Sequence, residues 1–340
     1  MKKSIMFLIF LLAAAFIFAD KLAVLHEVIA PGHLVVDGNR FYITSTDTTV
    51  YVYSTVDFKF IKKFVKNGEG PGEAVNSSVI LKNYQDFLTA EDFKRKIMFF
   101  SRDGDFIKEI KVPRKLFEIS LMGENFLGKS EHIDSEKEII YYNISLLDKK
   151  SDTIKILHKS KELKIFTSGK TQKKKIMRPL SGYFNYEIYN NHIYIADCQK
   201  GFSITVFDSE GNQLYEINRK YKKVKVPRTF IDNLMNKLKK TPVWERIKTR
   251  YHNVFPEYFP AIKRFWVNNG RIYTLTNEKK EEGKKGKVQR ELVVLDLKGK
   301  IIKRMFVPDV KGCTIDRNIF YYLFENEDKE VWELHAKEIK

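Results

Sequence analysis

Lysines and arginines in this chain gather into short blocks, and a block of fixed cations has one direct chemical use: holding phosphate, sulfate or carboxylate groups as point charges. GKTQKKKIMR, residues 169–178, carries Lys170, Lys173, Lys174, Lys175 and Arg178. RKYKKVKVPR, residues 219–228, includes Lys220, Lys222 and Lys223. NEKKEEGKKGKVQR, residues 277–290, mixes Lys284, Lys285 and further cations with three acids. These segments hold most of the formal net charge of +18. A charge block is also what a solvated loop looks like, so the binding and the bland readings both stand at this point. SEHIDSEKE, residues 130–138, is acid-rich, which makes the expected surface polarised.

A second stretch, NGEGPGE, could offer backbone N–H groups to an anion, because successive glycines permit positive φ. Glu69 and Glu73 would repel that anion, so Gly68, Gly70, Pro71, Gly72 and Glu73 are read as a structural turn, with Glu73 hydrogen-bonded to a neighbouring blade. Other motifs fail on chemistry. SGKT, residues 168–171, ends like a phosphate-binding loop, but Lys164 stands where a glycine is required. His33, His132, His158, His192, His252 and His335 have no metal-ligand spacing, so no metal and no cofactor is expected. Cys198 and Cys313 lack a C-x-x-C partner and are assigned to distant strands, so they are read as buried thiols. Asp197, Asp208 and Asp296 fall at strand ends and are expected to cap turns.

The elements that must carry these residues begin with an export signal. Residues 1–19, MKKSIMFLIFLLAAAFIFA, place two lysines before an apolar run that is shorter than the ~20 residues of a membrane span. No cysteine follows, so a periplasmic or extracellular chain without a lipid anchor is expected, with residues 20–340 as one domain. Within it a hairpin pattern recurs: FFSRDGDFIKEIKVP, VFDSEGNQLYEI and VLDLKGKIIKRMFVP, with weaker copies VYSTVDFKFIKKF and LLDKKSDTIKIL. Aligned turns put Asp57, Gly104, Ser151, Gly211 and Gly299 at equivalent places. A period in the forties with four short strands per unit predicts an all-β, six-bladed β-propeller of four-stranded antiparallel blades. The last blade is one strand short, and KLAVLHEVI near the N-terminus can complete it. Residues 228–256 interrupt the pattern with the signals of a helical hairpin between blades four and five: Thr229 as N-cap, a second helix carrying Val243, Ile247 and Tyr251 on one face, and Pro256 as the stop.

GEGPGE, the D-x-x-G hairpins and YFPAIKRFWVNNGRIYTL together resemble the six-bladed β-propeller family of exported bacterial proteins, similar in architecture to NHL-repeat proteins. The resemblance implies a fold and export and no agreed activity. It places residues 68–73 at the link between the first blade and the next. Ala74 stands where the family often has an aromatic residue. The functional expectation is a non-catalytic binding or scaffolding module whose basic face meets an anionic glycan, an envelope component or a protein partner. The rival is a lyase, lactonase or glycosidase with acids converging in a central channel, a reading that a divalent cation there would favour. Export and scattered aromatics argue against nucleic acid.

Overall fold

The computed structural model describes residues 21–339, apart from 76–78, 85, 93–95, 114–115, 135–138, 160–162, 169–171, 178–183, 199, 243, 246–247, 249–250, 254 and 283–286. The chain forms an all-β six-bladed propeller with four-stranded antiparallel blades. It divides into two compact units, one holding the chain up to Val112 together with that from Val310 onward, the other Pro113–Asp309. In the first unit, blade one is Pro31–Asp37, Arg40–Ser45, Val50–Ser54 and Phe60–Phe64. Blade two is Ile80–Asn83, Phe87–Glu91, Lys96–Ser101 and Phe106–Lys111. Blade six is Cys313–Asp316, Ile319–Asn326 and Val331–Glu338, and Lys21–Leu25 pairs antiparallel with the last of these. In the second unit, blade four is Phe184–Tyr189, His192–Asp197, Phe202–Phe207 and Gln213–Arg219, and blade five is Arg264–Asn268, Arg271–Glu282, Lys287–Asp296 and Ile301–Pro308.

Burial explains the sequence of each strand. Middle strands such as RFYITS, KIMFFS and HIYIAD are covered on both faces and read as nearly continuous apolar runs. Outer strands such as FIKEIK and QLYEINR are mostly exposed and alternate weakly. Between neighbouring blades the faces interlock: Tyr42, Val50 and Val52 with Leu88, Ala90 and Met98 in one unit, and Ile204, Val206 and Ile217 with Phe265, Val293 and Leu295 in the other.

The repeated hairpin turn makes a second contact between blades. Its first residue accepts from backbone: Asp208 Oδ1 takes the N–H of Glu210 and Asn212, Asp296 Oδ1 those of Lys298 and Lys300, and Asp148 Oδ1 those of Lys150 and Asp152. The fourth residue is left-handed, with φ of +79° at Gly104, +78° at Gly211, +85° at Gly299 and +69° at Ser151. One strand then slips by a residue, as between Val206 and Phe207 or Val294 and Leu295, which is the bulge that follows a three-residue hairpin loop. In blade one the turn is one residue longer, and Phe58 rather than the aligned Asp57 carries the positive φ, +57°. The glycines also rest on the preceding blade. A Cβ on Gly104 would meet Phe64 at 2.6 Å, one on Gly211 would meet Leu157 at 2.5 Å, and one on Gly299 would meet Ile217 at 2.3 Å.

Blade three departs from the four-strand expectation. Leu116–Met122, Asn125–Asp134, Ile139–Leu147 and Thr153–Lys159 form the blade, but Ile139–Leu147 also pairs with Leu163–Ser168. That strand pairs with Gln172–Met177, which lies parallel to Tyr251–Asn253. Helix α1 (Arg228–Lys239) is the one full helix among the described residues. Pro227 occupies its cap position, so Thr229 lies inside the first turn instead of capping it. Its apolar face is half-buried, with Phe230 edge-on to Phe259 at 5.1 Å. Of the expected second helix, Val243 and Ile247 fall outside the described residues, Lys248 N–H bonds to Trp244 O in a helical turn, and Tyr251 belongs to a strand. Residues 1–19, read above as a signal, lie outside the described residues.

Two predictions follow from these contacts. Gly299→Ala combines a strained φ with overpacking against Ile217 and is expected to lower unfolding free energy by roughly 2–5 kcal/mol in urea titration. Gly270→Ala, at φ +69° with nothing within 4 Å, should lose only the backbone part, roughly 1–2 kcal/mol. At the N-terminal strand, Lys21 Nζ lies 2.7 Å from buried Glu333, which also accepts from Asn326 and faces His335. Burial pushes the Glu333 carboxyl up, but the bonds from Lys21, His335 and Asn326 win and hold it at about 2, below its ordinary 4.5. A depressed carboxylate stabilises the fold above its unfolded pKa and ceases to as pH falls through the folded one. Stability should therefore decline between the ordinary value of 4.5 and about 2, and Lys21→Met should flatten that decline in acid titrations of thermal unfolding.

Candidate functional site

Of the residues singled out as a basic face, Lys170, Arg178, Lys284 and Lys285 lie outside the described residues. Lys173, Lys174 and Lys175 belong to the strand Gln172–Met177, so that segment is a paired strand and not a flexible link. Within residues 277–290, Lys279 to Glu282 likewise pair with Lys287 to Arg290 beyond a bulge, continuing the strands of blade five. Residues 130–134 pair with 139–143 in the same manner. The chain between blades four and five ties these pieces together. Its strand Tyr251–Asn253 runs beside Lys175–Met177, while Val226 N–H bonds to Glu257 O and Phe259 N–H to Val224 O. Lys222 Nζ lies 2.9 Å from Glu278, joining the second basic segment to the third. Lys223 stands over the Tyr258 ring at 5.6 Å.

Part of the cationic charge is neutralised inside the fold. Arg290, 5% exposed at its side chain, forks onto Asp309 through Nε and Nη2, each at 2.8 Å, and donates its Nη1 to Thr276 O and Asn277 Oδ1. Lys263 and Lys279 reach the same carboxylate at 2.8 and 2.9 Å. Burial raises the Asp309 pKa, and the three cations more than offset it, holding the group well below the usual carboxylate range. This knot fixes the point where the long hairpin leaves blade five.

Beside it, a small surface cleft opens between blades four and five. Its floor includes Phe202, Val293 and Leu295, and Tyr221 lines it with Arg219, Lys220, Lys222 and Arg304. Two acids are present as well. Glu291 accepts from Arg304 at 2.6 Å and from the Thr276 hydroxyl at 2.9 Å, and Glu278 takes Lys222. Arg219 is held by its Nε on Gly299 O at 2.6 Å, and no described carboxylate pairs with Arg219 or Lys220. The cleft is therefore lined by cations and acceptors over buried apolar residues. Arg219 and Arg304 were not separable from other cations by sequence, because only the packing of blade five against blade four brings them to one cleft.

The glycine-rich loop closes on itself. Gly70 N–H donates to Glu73 Oε2 at 2.9 Å, Lys96 Nζ donates to Gly70 O at 3.1 Å, and a side chain on Gly68 would collide with the Glu73 carboxylate. Glu73 thus binds its own loop rather than a neighbouring blade, and Gly72 takes φ +73° against Phe106. Cys198 and Cys313 are both buried and not joined in a disulfide; Cys198 donates to Ile262 O, and burial pushes its thiol up to about 12. Asp208 and Asp296 cap turns, whereas Asp197 lies 3.8 Å from His158. Burial keeps His158 below its ordinary range despite that acid. A buried network escaped sequence reading: Lys129 lies 2.5 Å from Glu118, whose φ is +52°, and the Tyr186 hydroxyl reaches Leu127 O and Ser120, all beside a bulge in the strand Leu116–Met122. Only a departure from strand alternation could have betrayed it. Among the described residues, no group of three His, Cys, Asp or Glu side chains is arranged to hold a metal ion.

A six-bladed β-propeller family model matches residues 27–238, and the chain belongs to that family. No curated protein matches it. Among solved structures, the computationally designed Ika8 protein aligns with TM-score 0.44 and 8% identity, covering 94% of this chain and 100% of that one. BamB from Moraxella catarrhalis aligns with TM-score 0.33 and 8% identity, covering 88% of this chain and 70% of that one. Neither likeness bears on function.

The Asp309 knot yields a stability prediction. Asp309→Asn leaves Arg290 buried without its counter-charge and should destabilise by about 3–5 kcal/mol, read as a lowered midpoint in chemical denaturation.

Proposed function

We propose that this chain is an exported, non-catalytic binding module of the six-bladed propeller class, which takes an anionic glycan, envelope component or protein partner through its cationic segments. In this reading residues 1–19 direct export, the strand Lys21–Leu25 closes the ring, and the helical segment between blades four and five braces the basic strands. The observation that carries the reading is the rim of the cleft, where Arg219 and Lys220 stand without a described carboxylate partner after Lys222 and Arg304 have found theirs. Uncompensated cations attract anions, and the attraction weakens as salt screens it.

The test uses residues 20–340 on heparin, polygalacturonate and neutral dextran supports at two salt concentrations, with a variant carrying Lys173→Glu, Lys174→Glu and Lys175→Glu. Retention on one polyanion, reduced by salt and roughly tenfold or more by the charge reversal, is the expected result. Retention that ignores both, or none at all, would overturn the reading.

A further inference from the structure

We infer that helix α1, in the segment between blades four and five, docks on an anionic phospholipid surface, with its apolar stripe in the headgroup layer and its lysines among the phosphates. The inference deepens the binding-module reading by naming the envelope component, and it rests on that reading.

The helix is amphipathic by spacing. At 3.6 residues per turn, Phe230, Leu234, Leu238, Ile231 and Met235 form one stripe about 140° wide. Lys237 stands about 20° beyond one margin of the stripe, and Arg228 and Lys239 stand about 20° and 40° beyond the other. The fold leaves the stripe incompletely covered. None of the residues of α1 is buried, although five of them are large and apolar. Phe230, at one margin, stands edge-on to Phe259, and all five keep some surface in contact with solvent. A helix seated in a core buries part of its stripe fully, so this one retains apolar surface for another phase.

Charge decides what that phase is. Residues 219–250 carry twelve lysines and arginines against two acids, Asp232 and Glu245. Asp232 takes Arg228 at 3.4 Å and Glu245 takes Lys248, so both acids are already paired. No described carboxylate pairs with Lys237 or Lys239. Cations on and beside an amphipathic helix are drawn to a leaflet of anionic headgroups, where flanking lysines lay their stems along the stripe and extend their ammonium groups to phosphate.

The patch also continues past the helix, which suits a broad lipid surface better than a groove fitted to one helix. Tyr258 is 38% exposed, bridges Lys225 just before α1 and has Lys223 over its ring. Trp244 follows α1 and is half-buried. Tyrosine and tryptophan favour the headgroup layer, which serves both an apolar ring and a polar tip. The twelve residues of α1 rise about 18 Å, short of the ~30 Å hydrocarbon core, so the helix lies on the surface instead of crossing it.

The experiment is co-sedimentation of residues 20–340 with vesicles of phosphatidylcholine alone, and of phosphatidylcholine and phosphatidylglycerol in equal parts, at two salt concentrations. The unaltered chain is compared with two double variants, Leu234→Gln with Leu238→Gln on the stripe and Lys237→Gln with Lys239→Gln beside it, each checked for an unchanged melting curve. The two lysines are exposed, so the second variant tests the surface without endangering the fold. Binding to the anionic vesicles, weakened by salt, roughly tenfold weaker or more on phosphatidylcholine alone and in either double variant, is the expected result. Binding that ignores the stripe variant would overturn the inference and leave bulk charge attraction without a docked helix. Binding indifferent to the lysine variant, or equal on both kinds of vesicle, would also overturn it. So would absent vesicle binding, and retention on the polyanion supports then separates the two levels: retention that persists preserves the binding module and removes only the lipid surface, whereas its loss removes both.

Discussion

The contact on which this fold turns is the absence of a methyl group. At Gly104, Gly211 and Gly299 the hairpin turn of one blade comes within van der Waals range of a side chain on the outer strand of the blade before it. The turn needs a left-handed residue for its own geometry, and glycine supplies that conformation while leaving the gap that Phe64, Leu157 or Ile217 fills. One residue type therefore meets a local and a tertiary demand together, which is why glycine recurs at this turn position in blades two, four and five. In blades four and five the aspartate at the first turn position completes the unit by capping the N–H groups two and four residues on.

With the turns placed, blade packing follows from ordinary burial. Middle strands are apolar on both faces because each face meets a neighbour, and outer strands are free to carry lysine. The lysine-rich segments then acquire structure that composition hides. The edge of Ile139–Leu147 is shared by two partners, Thr153–Lys159 and Leu163–Ser168, and the latter starts the added strands that carry Lys173–Lys175. A strand from the segment between blades four and five pairs onto them, so sequence positions 172–177 and 251–253 become neighbours.

The same tertiary pairing redistributes charge. Arg290, Lys263 and Lys279 converge on Asp309, and Lys222 and Arg304 each find a glutamate. Cations that look available in a linear count are in part structural. What remains at the rim of the cleft is a small excess, positioned by a turn carbonyl and a glutamate.

The sequence by itself determined the blade number, most of the hairpin turns and the strands that make up most of the blades, because these depend on period-two burial and on turn chemistry, both written within about fifteen neighbouring residues. Asp208, Asp296, Gly211 and Gly299 were legible for that reason. It misread Thr229 as a helix cap, where Pro227 stands instead, and it read residues 172–177 and much of 277–290 as loops, since lysine content signals solvent exposure and a hairpin edge is also exposed. Tertiary structure alone decided the Asp309 knot, the Glu118 and Lys129 network and the meeting of Arg219 with Arg304. Each joins side chains from different strands or blades, and nothing in local spacing specifies which distant charge a given charge will meet.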